Sequence, residues 1–243
     1  MSVSTAQVQA FHQRAFCLRP GEAPALARAS GDSGFVAHLS ACTRGATGWD
    51  WSFRLTKKGG DWAFASDGRL SLYLDEPGQY VPADALVGEA VAVRLPRARE
   101  NLFPHRFALH GGQGGPVLAG GVVKFFLPVT FEAAPALVGA FAGRGGDQLH
   151  FALMVSNHPL DFDRADAAVV DVGTQDEPGV LKLLEHFIHT HPRALWPRGL
   201  PYATQTGPLG VPRAVGNGRQ DLADGYGWRR AQEAVARGGV GGA

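Results

Sequence analysis

The sequence LHFALMVSNHPLDFDRADAAVVDV, residues 149–172, decides the fold of the C-terminal half of the chain. Two apolar runs, LHFALMV and AAVVDV, flank a polar turn that contains Pro159 and several aspartates. Short apolar runs bounded by proline and aspartate are typical of buried strands, so we predict two strands joined by a loop. The loop carries His158, Asp163 and Arg164, residue types that bind ligands or transfer protons, and we predict that it is functional.

A third apolar run lies upstream, GGVVKFFLPVTF at Gly120–Phe131, and it carries one lysine, Lys124, in its middle. We predict that this run is also a buried strand. A lysine buried without a partner is costly, so Lys124 requires either a carboxylate partner or a task in binding or catalysis.

The composition is that of an ordinary globular protein: 243 residues, 45% hydrophobic, with a formal net charge of +1. Such a small net charge gives no general attraction to nucleic acid or to a membrane surface. The sequence has neither a membrane-spanning apolar run nor the basic-then-apolar order of a signal peptide, so we expect a cytoplasmic protein. Two cysteines, Cys17 and Cys42, are too few for a disulfide framework.

The overall pattern predicts the α+β class, with an antiparallel meander in the N-terminal half and strands alternating with helices in the C-terminal half. Alternating apolar residues and turn signals predict the meander over Trp49–Glu76, with its strands half exposed. We predict one domain over residues 1–243. The glycine loop Gly111–Gly121 is a possible division between residues 1–110 and 121–237.

Helices are predicted over Thr5–Phe16, from Glu132 onward, over Glu177–Leu195 and at the C-terminal GYGWRRAQEAVARGG. The stretches PGEAPALARASGDSG, from Pro20, and WPRGLPYATQTGPLGVPRAVGNGRQ are rich in Pro or Gly and predict irregular connections.

Two other patterns favour structural interpretations. Glu185, His186 and His189 lie close together on one helix, but their spacing is not that of a metalloprotease pair. A solvent-exposed helix end explains them, because protonated histidine is favourable near a helix C-terminus. The sequence GGQGG at Gly111–Gly115 lacks the spacing of a phosphate-binding loop and predicts a turn. We therefore expect neither a metal ion nor a cofactor.

Arg164 lies between Asp163 and Asp166 and permits two interpretations of about equal weight. It can fix the loop through a structural ion pair, or its guanidinium can grip a phosphate through two hydrogen bonds. Arg229 and Arg230 lie in the first turns of the last predicted helix, where the helix dipole disfavours cations. That conflict favours an anion-binding role for them.

Several segments occur in a recognisable order: GWDWSFRL, DWAFASDGRLSLYLDEPGQYV, GEAVAVRLP, VVKFFLPVTFEAAPALVGAF, LHFALMVSNHPLDFDRADAAVVDV and DGYGWRRAQEAVA. This succession, from about Ser40 to Ala236, resembles the HopA-type family. That family comprises type III effector proteins and the stand-alone lyases of class V lanthipeptide and thioamitide biosynthesis. The segments FDRADAAVV and GYGWRR carry most of the resemblance.

The resemblance implies an α+β domain that acts on a ribosomally made precursor peptide whose Ser or Thr a partner kinase has phosphorylated. The lyase removes the phosphate by β-elimination and leaves dehydroalanine or dehydrobutyrine. The reaction requires cations that hold the phosphate, a base for the Cα proton and an acid near the leaving oxygen. Lys124, Arg164 and Arg230 match the family's basic positions. We predict that Arg164, Arg229, Arg230 and Asp163 bind the substrate or its phosphate, and that Lys124 takes part in catalysis.

Two positions depart from the family pattern: Met154 stands where a lysine is expected, and Arg229 where a histidine is expected. If the chain eliminates phosphate, Lys124 together with His150 or His158 takes over the proton transfers. One alternative is a metal-free lanthipeptide cyclase that adds a Cys thiol to a dehydro residue, with a histidine or Tyr226 as base or acid.

The other alternative is a non-catalytic subunit that binds the leader and core of the precursor peptide. Such a subunit would present the peptide to a kinase-like or lyase partner. The edge of the meander over Trp49–Leu74 could accept the peptide as an added strand.

Overall fold

Antiparallel strands dominate the N-terminal half of the chain after Cys42, and strands alternate with helices in the C-terminal half. A computed structural model describes residues 4–18, 31–103, 105–196, 199–216 and 226–237. The predicted α+β class is confirmed.

The strands of the first sheet are β1 (Thr47–Lys58), β2 (Ala63–Ser66), β3 (Ser71–Leu74), β4 (Tyr80–Val81) and β5 (Ala90–Pro96). They pair antiparallel in the order β3-β2-β1-β5-β4, which contains the predicted meander. Phe53 and Leu55 are buried on one side of β1, whereas Arg54 and Thr56 are exposed on the other. Trp51, which strict alternation would place with Phe53 and Leu55, is instead 55% exposed, at the point where the pairing of β1 with β5 shifts register between Asp50 and Phe53. The sheet therefore buries one face and leaves the other in solvent, as the alternation predicts.

The strands of the second sheet are β6 (Ala98–Phe103), β7 (Arg106–His110), β8 (Val122–Leu127), β9 (Phe151–Ser156), β10 (Ala168–Gly173), β11 (Gln205–Thr206) and β12 (Pro212–Gly216). Their order is β11-β12-β8-β10-β9-β7-β6, again antiparallel. The chain enters this sheet directly after Arg97, ahead of the glycine loop Gly111–Gly121. The division of the chain into 1–110 and 121–237 stays a prediction.

The helices are α1 (Thr5–Phe11), α2 (Ser33–Cys42), α3 (Ala134–Ala142), α4 (Glu177–Thr190) and α5 (Tyr226–Ala236). A π-helical turn, His12–Phe16, continues α1. The helix α4 is shorter than predicted, because the residue before Pro192 leaves the helical conformation, with φ −132° and ψ 68° at His191. None of the helices in the described ranges is long and apolar enough to cross a membrane.

Three elements depart from the sequence prediction. The helix α2 was not predicted. It begins at the end of the stretch from Pro20 that we predicted to be irregular, because Asp32 accepts a hydrogen bond from the amide of Phe35 at 2.7 Å and caps its start. Phe35 and Leu39 then pack into the main core. The strands β11 and β12 form within the segment predicted to be irregular, because β12 pairs with β8 and β11 pairs with β12. Residues 19–30, most of the predicted flexible stretch, lie outside the described residues.

Candidate functional site

The second sheet has two faces, and the residues of β8 alternate between them. Val123, Phe125 and Leu127 contribute to a core formed with α3 and α4. Lys124 and Phe126 point to the other side, which we call the Lys124 face. Phe126 belongs to an apolar cluster there with Phe16, Cys17, Met154, Val169, Ala214 and Tyr226. The turn after α1 and the start of α5 therefore pack on the Lys124 face.

Lys124 forms a buried ion pair in the middle of this face. Strand register places it directly opposite Asp171 on β10, and its Nζ lies 2.5 Å from the Asp171 Oδ2. The lysine is 3% exposed and the aspartate 0%. The carboxylate partner that the sequence required is thus supplied by the neighbouring strand, and it offsets the cost of burying the ammonium group.

Arg164 forms the second ion pair of the site, with Asp166. Its Nε donates to Asp166 Oδ1 and its NH2 donates to Asp166 Oδ2 at 2.7 Å, so the contact is bidentate. Arg106 on β7 binds the same carboxylate from another side, at 3.1 Å, and also donates to the carbonyl of Asp166 at 2.7 Å. One buried carboxylate therefore binds two guanidinium groups. Arg164 forms the structural ion pair that was one of its two predicted roles.

The electrostatics of this cluster favour a charged Asp166 and a charged Arg164, whereas burial and the neighbouring charge of Arg164 lower the pKa of Arg106. Burial by itself would raise the pKa of Asp166, but Arg164 and Arg106 together hold that pKa well below its usual range. Burial likewise works against the charge of Arg164, and Asp166 outweighs it, so the pKa of Arg164 lies above its ordinary value. The pair stays ionised over the whole physiological range.

Cys17 and His12 lie beside this cluster and form a pair that the sequence analysis did not identify. The Cys17 Sγ accepts a hydrogen bond from Arg164 NH2 at 3.0 Å and lies 3.5 Å from His12 Nδ1. Burial, followed by the charge of Asp166, raises the pKa of the Cys17 thiol to about 12. Burial lowers the pKa of His12 to about 4. Both groups are neutral at physiological pH, so the pair is a poor nucleophile and base in spite of its geometry.

Tyr226 and the two arginines of α5 form the edge of the site. The Tyr226 hydroxyl donates to the carbonyl of Ala203 at 2.7 Å, and its ring packs 6.0 Å from that of Phe126. Arg229 and Arg230 both bind Glu233, at 3.3 Å and 2.8 Å. The Arg230 guanidinium also lies 5.1 Å from the centre of the Tyr226 ring.

The remaining predicted residues lie at the two ends of β9. His150 precedes the strand, with its Nδ1 3.5 Å from Asp176 Oδ2. His158 follows the strand, and its Nδ1 accepts a hydrogen bond from the amide of Leu160 at 3.2 Å. A six-residue strand is about 20 Å long, so the two histidines cannot serve the same reacting atom. Asp163 is exposed in the loop near His158.

Met154, which replaces the expected lysine, lies in the centre of the Lys124 face. It pairs in register with Val169 on one side and Ala108 on the other, and packs in the cluster around Phe126. The structure thus brings Lys124, Met154, Arg164 and Tyr226 to one face of one sheet. It leaves His150, His158 and Asp163 at the ends of β9.

The sequence analysis missed Arg106, Asp171, His12 and Cys17. A signal existed for Asp171, since it is a single charged residue inside the apolar run AAVVDV, as Lys124 is inside its own run. No local pattern marks the other three.

Chemically, the described site contains ion pairs, a neutral thiol and a neutral imidazole. Among the described residues no group of histidine, cysteine and carboxylate side chains could hold a metal ion. Comparison with protein-family models finds no match for the chain, and comparison with curated proteins finds none either.

Proposed function

We propose that this protein is a cytoplasmic peptide-binding subunit in the maturation of a ribosomally made, lanthipeptide-type precursor. It binds the precursor peptide and presents it to a kinase-like or lyase partner, without eliminating phosphate itself. The resemblance to the HopA-type family supplies the pathway. The geometry of the Lys124 face favours the binding role over the other two roles that the sequence leaves open.

The observation that carries this choice is the state of the three cations expected to hold phosphate. Lys124 is paired with Asp171, Arg164 with Asp166, and Arg230 with Glu233. A phosphate group would have to displace a carboxylate at each position, two of them buried. Met154 supplies no base where the family pattern has a lysine. These three described cations therefore do not form a preformed cradle for the leaving group.

The edge of the first sheet supports peptide binding. The strand β3 is the outermost strand, so one side of its backbone is open for pairing with another chain. Three aromatic rings cluster beside it: those of Phe64 and Tyr73 lie 5.2 Å apart, and that of Trp62 lies 5.8 Å from Phe64. Tyr73 is 54% exposed and Trp62 is 39% exposed. An added peptide strand would find hydrogen bonds and aromatic side-chain contacts there.

The test is a titration of the protein with its cognate precursor peptide, unphosphorylated and phosphorylated on threonine, followed by mass spectrometry. We expect binding of both forms and no loss of phosphoric acid. The double variant Trp62→Ala/Tyr73→Ala should weaken binding about tenfold, since each aromatic contact is worth about 0.5–1.5 kcal/mol. Trp51→Ala, which removes an equally exposed ring elsewhere on the same sheet, should bind like the wild type. Absence of binding would refute the proposal.

Phosphate elimination is the second candidate, and one observation favours it. The structure places Lys124, Arg164 and Tyr226 on the same face as Met154, the position of the expected lysine. A substrate that displaced the carboxylates would meet a possible base and two possible donors there. Conversion of the phosphothreonine peptide to the dehydro product by the isolated chain would establish elimination and replace the binding role.

A further inference from the structure

A large polar groove lies away from the Lys124 face, between the first sheet and the ends of α2 and α3. Its volume is about 1140 Å³. The charged and aromatic side chains that line it are His38, Arg44, Trp49, Arg94, Arg144 and Asp147. The groove exceeds the roughly 300–1,000 Å³ of typical small-molecule sites, which favours a larger ligand.

Three arginines reach the groove from three separate elements. Arg44 follows α2, Arg94 lies on β5, and Arg144 follows α3. All three are exposed, and none has a carboxylate partner among the described residues. The Arg94 Nε donates to the Thr47 hydroxyl at 3.1 Å, and its guanidinium stacks 5.5 Å from the Trp49 ring. These contacts hold Arg94 in place and leave its charge available.

The positions of Arg44 and Arg144 just beyond helix ends offer a competing explanation, because cations are favourable near helix C-termini. At α3, however, that role is already filled. Arg97 donates to the last carbonyls of the helix, at 2.8 Å to Phe141 and 3.1 Å to Ala142. At α2 the carbonyl of Ser40 accepts the Thr43 hydroxyl at 2.7 Å. The helix ends therefore do not account for two further exposed arginines.

The one acidic residue among the described lining residues is already neutralised. Asp147 lies 2.9 Å from the fully buried guanidinium of Arg97. The groove thus has three positive charges, those of Arg44, Arg94 and Arg144. The charge of the buried Arg97 is compensated by Asp147. On a chain whose formal net charge is only +1, this is a strong local concentration of cations.

We propose that this groove binds an acidic, extended segment of the precursor peptide. Cations on three elements suit several carboxylates along a chain better than one compact anion, and each guanidinium can bind a carboxylate through two hydrogen bonds. The proposal rests on the proposed function only for the identity of the peptide. The charge recognition itself can be tested without the precursor.

The probe is a fluorescein-labelled hexaglutamate peptide, titrated by fluorescence anisotropy in low salt with the full chain. We expect saturable binding that weakens as salt is added, since screening reduces exposed charge interactions. The double variant Arg44→Gln/Arg144→Gln should bind at least about tenfold more weakly, because it removes two of the three cations. Arg69→Gln, which removes an equally exposed arginine from the β2–β3 turn, is the matched control and should bind like the wild type.

Three outcomes of the hexaglutamate titration would overturn the proposal: no binding by the wild type, an equal loss in the Arg69 control, or full displacement of the probe by inorganic phosphate at the same concentration as the peptide. The last outcome would identify a small-anion site.

A parallel titration with the precursor peptide separates this proposal from the proposed function. If the precursor binds the wild type and the double variant equally, the groove is not its site, although the binding role stands. If the precursor does not bind but hexaglutamate does, the proposed function is wrong, whereas the recognition of an acidic peptide by the groove stands.

Discussion

The Lys124 face and the groove lined by Arg44, Arg94 and Arg144, which we call the arginine groove, both concentrate cations. The cations of the two regions differ in whether they have carboxylate partners. On the Lys124 face each described cation is held by a carboxylate of the same chain, as in the pairs Lys124–Asp171 and Arg164–Asp166. In the groove, Arg44 and Arg144 are exposed and have no carboxylate partner within the described residues. The residue types alone would have assigned anion binding to both regions.

The difference follows from desolvation. A buried cation needs a carboxylate partner within the fold, because desolvation of an unpaired charge is costly. Once it is paired, its charge is no longer available to bind a ligand. A cation left in water needs no partner and remains available to an incoming anion. The partner of an arginine, rather than the arginine itself, distinguishes a structural site from a binding site.

The largest expected effect concerns Asp166. Asp166→Asn removes the charge that holds both Arg164 and Arg106, and leaves two guanidinium groups without a counter-ion in a largely buried site. We expect a loss of about 4–5 kcal/mol in the free energy of unfolding, measured by urea denaturation.

Two variants serve as controls for Asp166. Asp61→Asn removes an exposed carboxylate between β1 and β2, and Arg44→Gln removes a groove cation. Each should change the free energy of unfolding by no more than about 0.5 kcal/mol. If Arg44→Gln were as destabilising as Asp166→Asn, the contrast between the two regions would be wrong.

The next effect concerns the pair in the middle of the second sheet. Lys124→Met leaves the fully buried Asp171 carboxylate without its cation, and should cost about 3 kcal/mol in the free energy of unfolding. The double variant Lys124→Met/Asp171→Leu should regain most of this loss, because an apolar pair of similar size requires no desolvation of charge. A double variant no more stable than Lys124→Met would show that the aspartate is not the source of the cost.

The smallest effect for any single group sharpens the comparison through pH. Burial lowers the pKa of both His12 and His110 from 6.5 to about 4. As the pH falls below 6.5, the unfolded chain takes up protons that the folded chain does not, so stability decreases until about pH 4. Each histidine contributes a loss on the order of 2–3 kcal/mol across this window.

The measurement is the free energy of unfolding at successive pH values between neutrality and the lower pKa. The double variant His12→Gln/His110→Gln should flatten this dependence, whereas His189→Gln, on the exposed side of α4, should leave it unchanged. An unchanged slope in the double variant would mean that other groups carry the acid sensitivity.

Local sequence patterns were enough to predict much of the fold. The runs around residues 149–172 become β9 and β10, and α4 begins at Glu177 beside Pro178. These elements are predictable because each depends on the spacing of apolar residues and on prolines within a few positions. The helix α2 was missed because Gly31, Ser33 and Gly34 at its start have low helix propensity. It is stabilised instead by the Asp32 cap and by packing against residues of the main core that are distant in sequence.

The candidate site was predictable only in its residue types. The sequence by itself determined that Lys124 needed a partner and that Arg164 had an acidic neighbour at Asp166. The tertiary structure alone decided that Lys124 pairs with Asp171, 47 residues away, and that Arg164 contacts Cys17, 147 residues away. Such contacts depend on strand register and on which segments close over a sheet face. Those are properties of the whole folded chain, and no local window of sequence contains them.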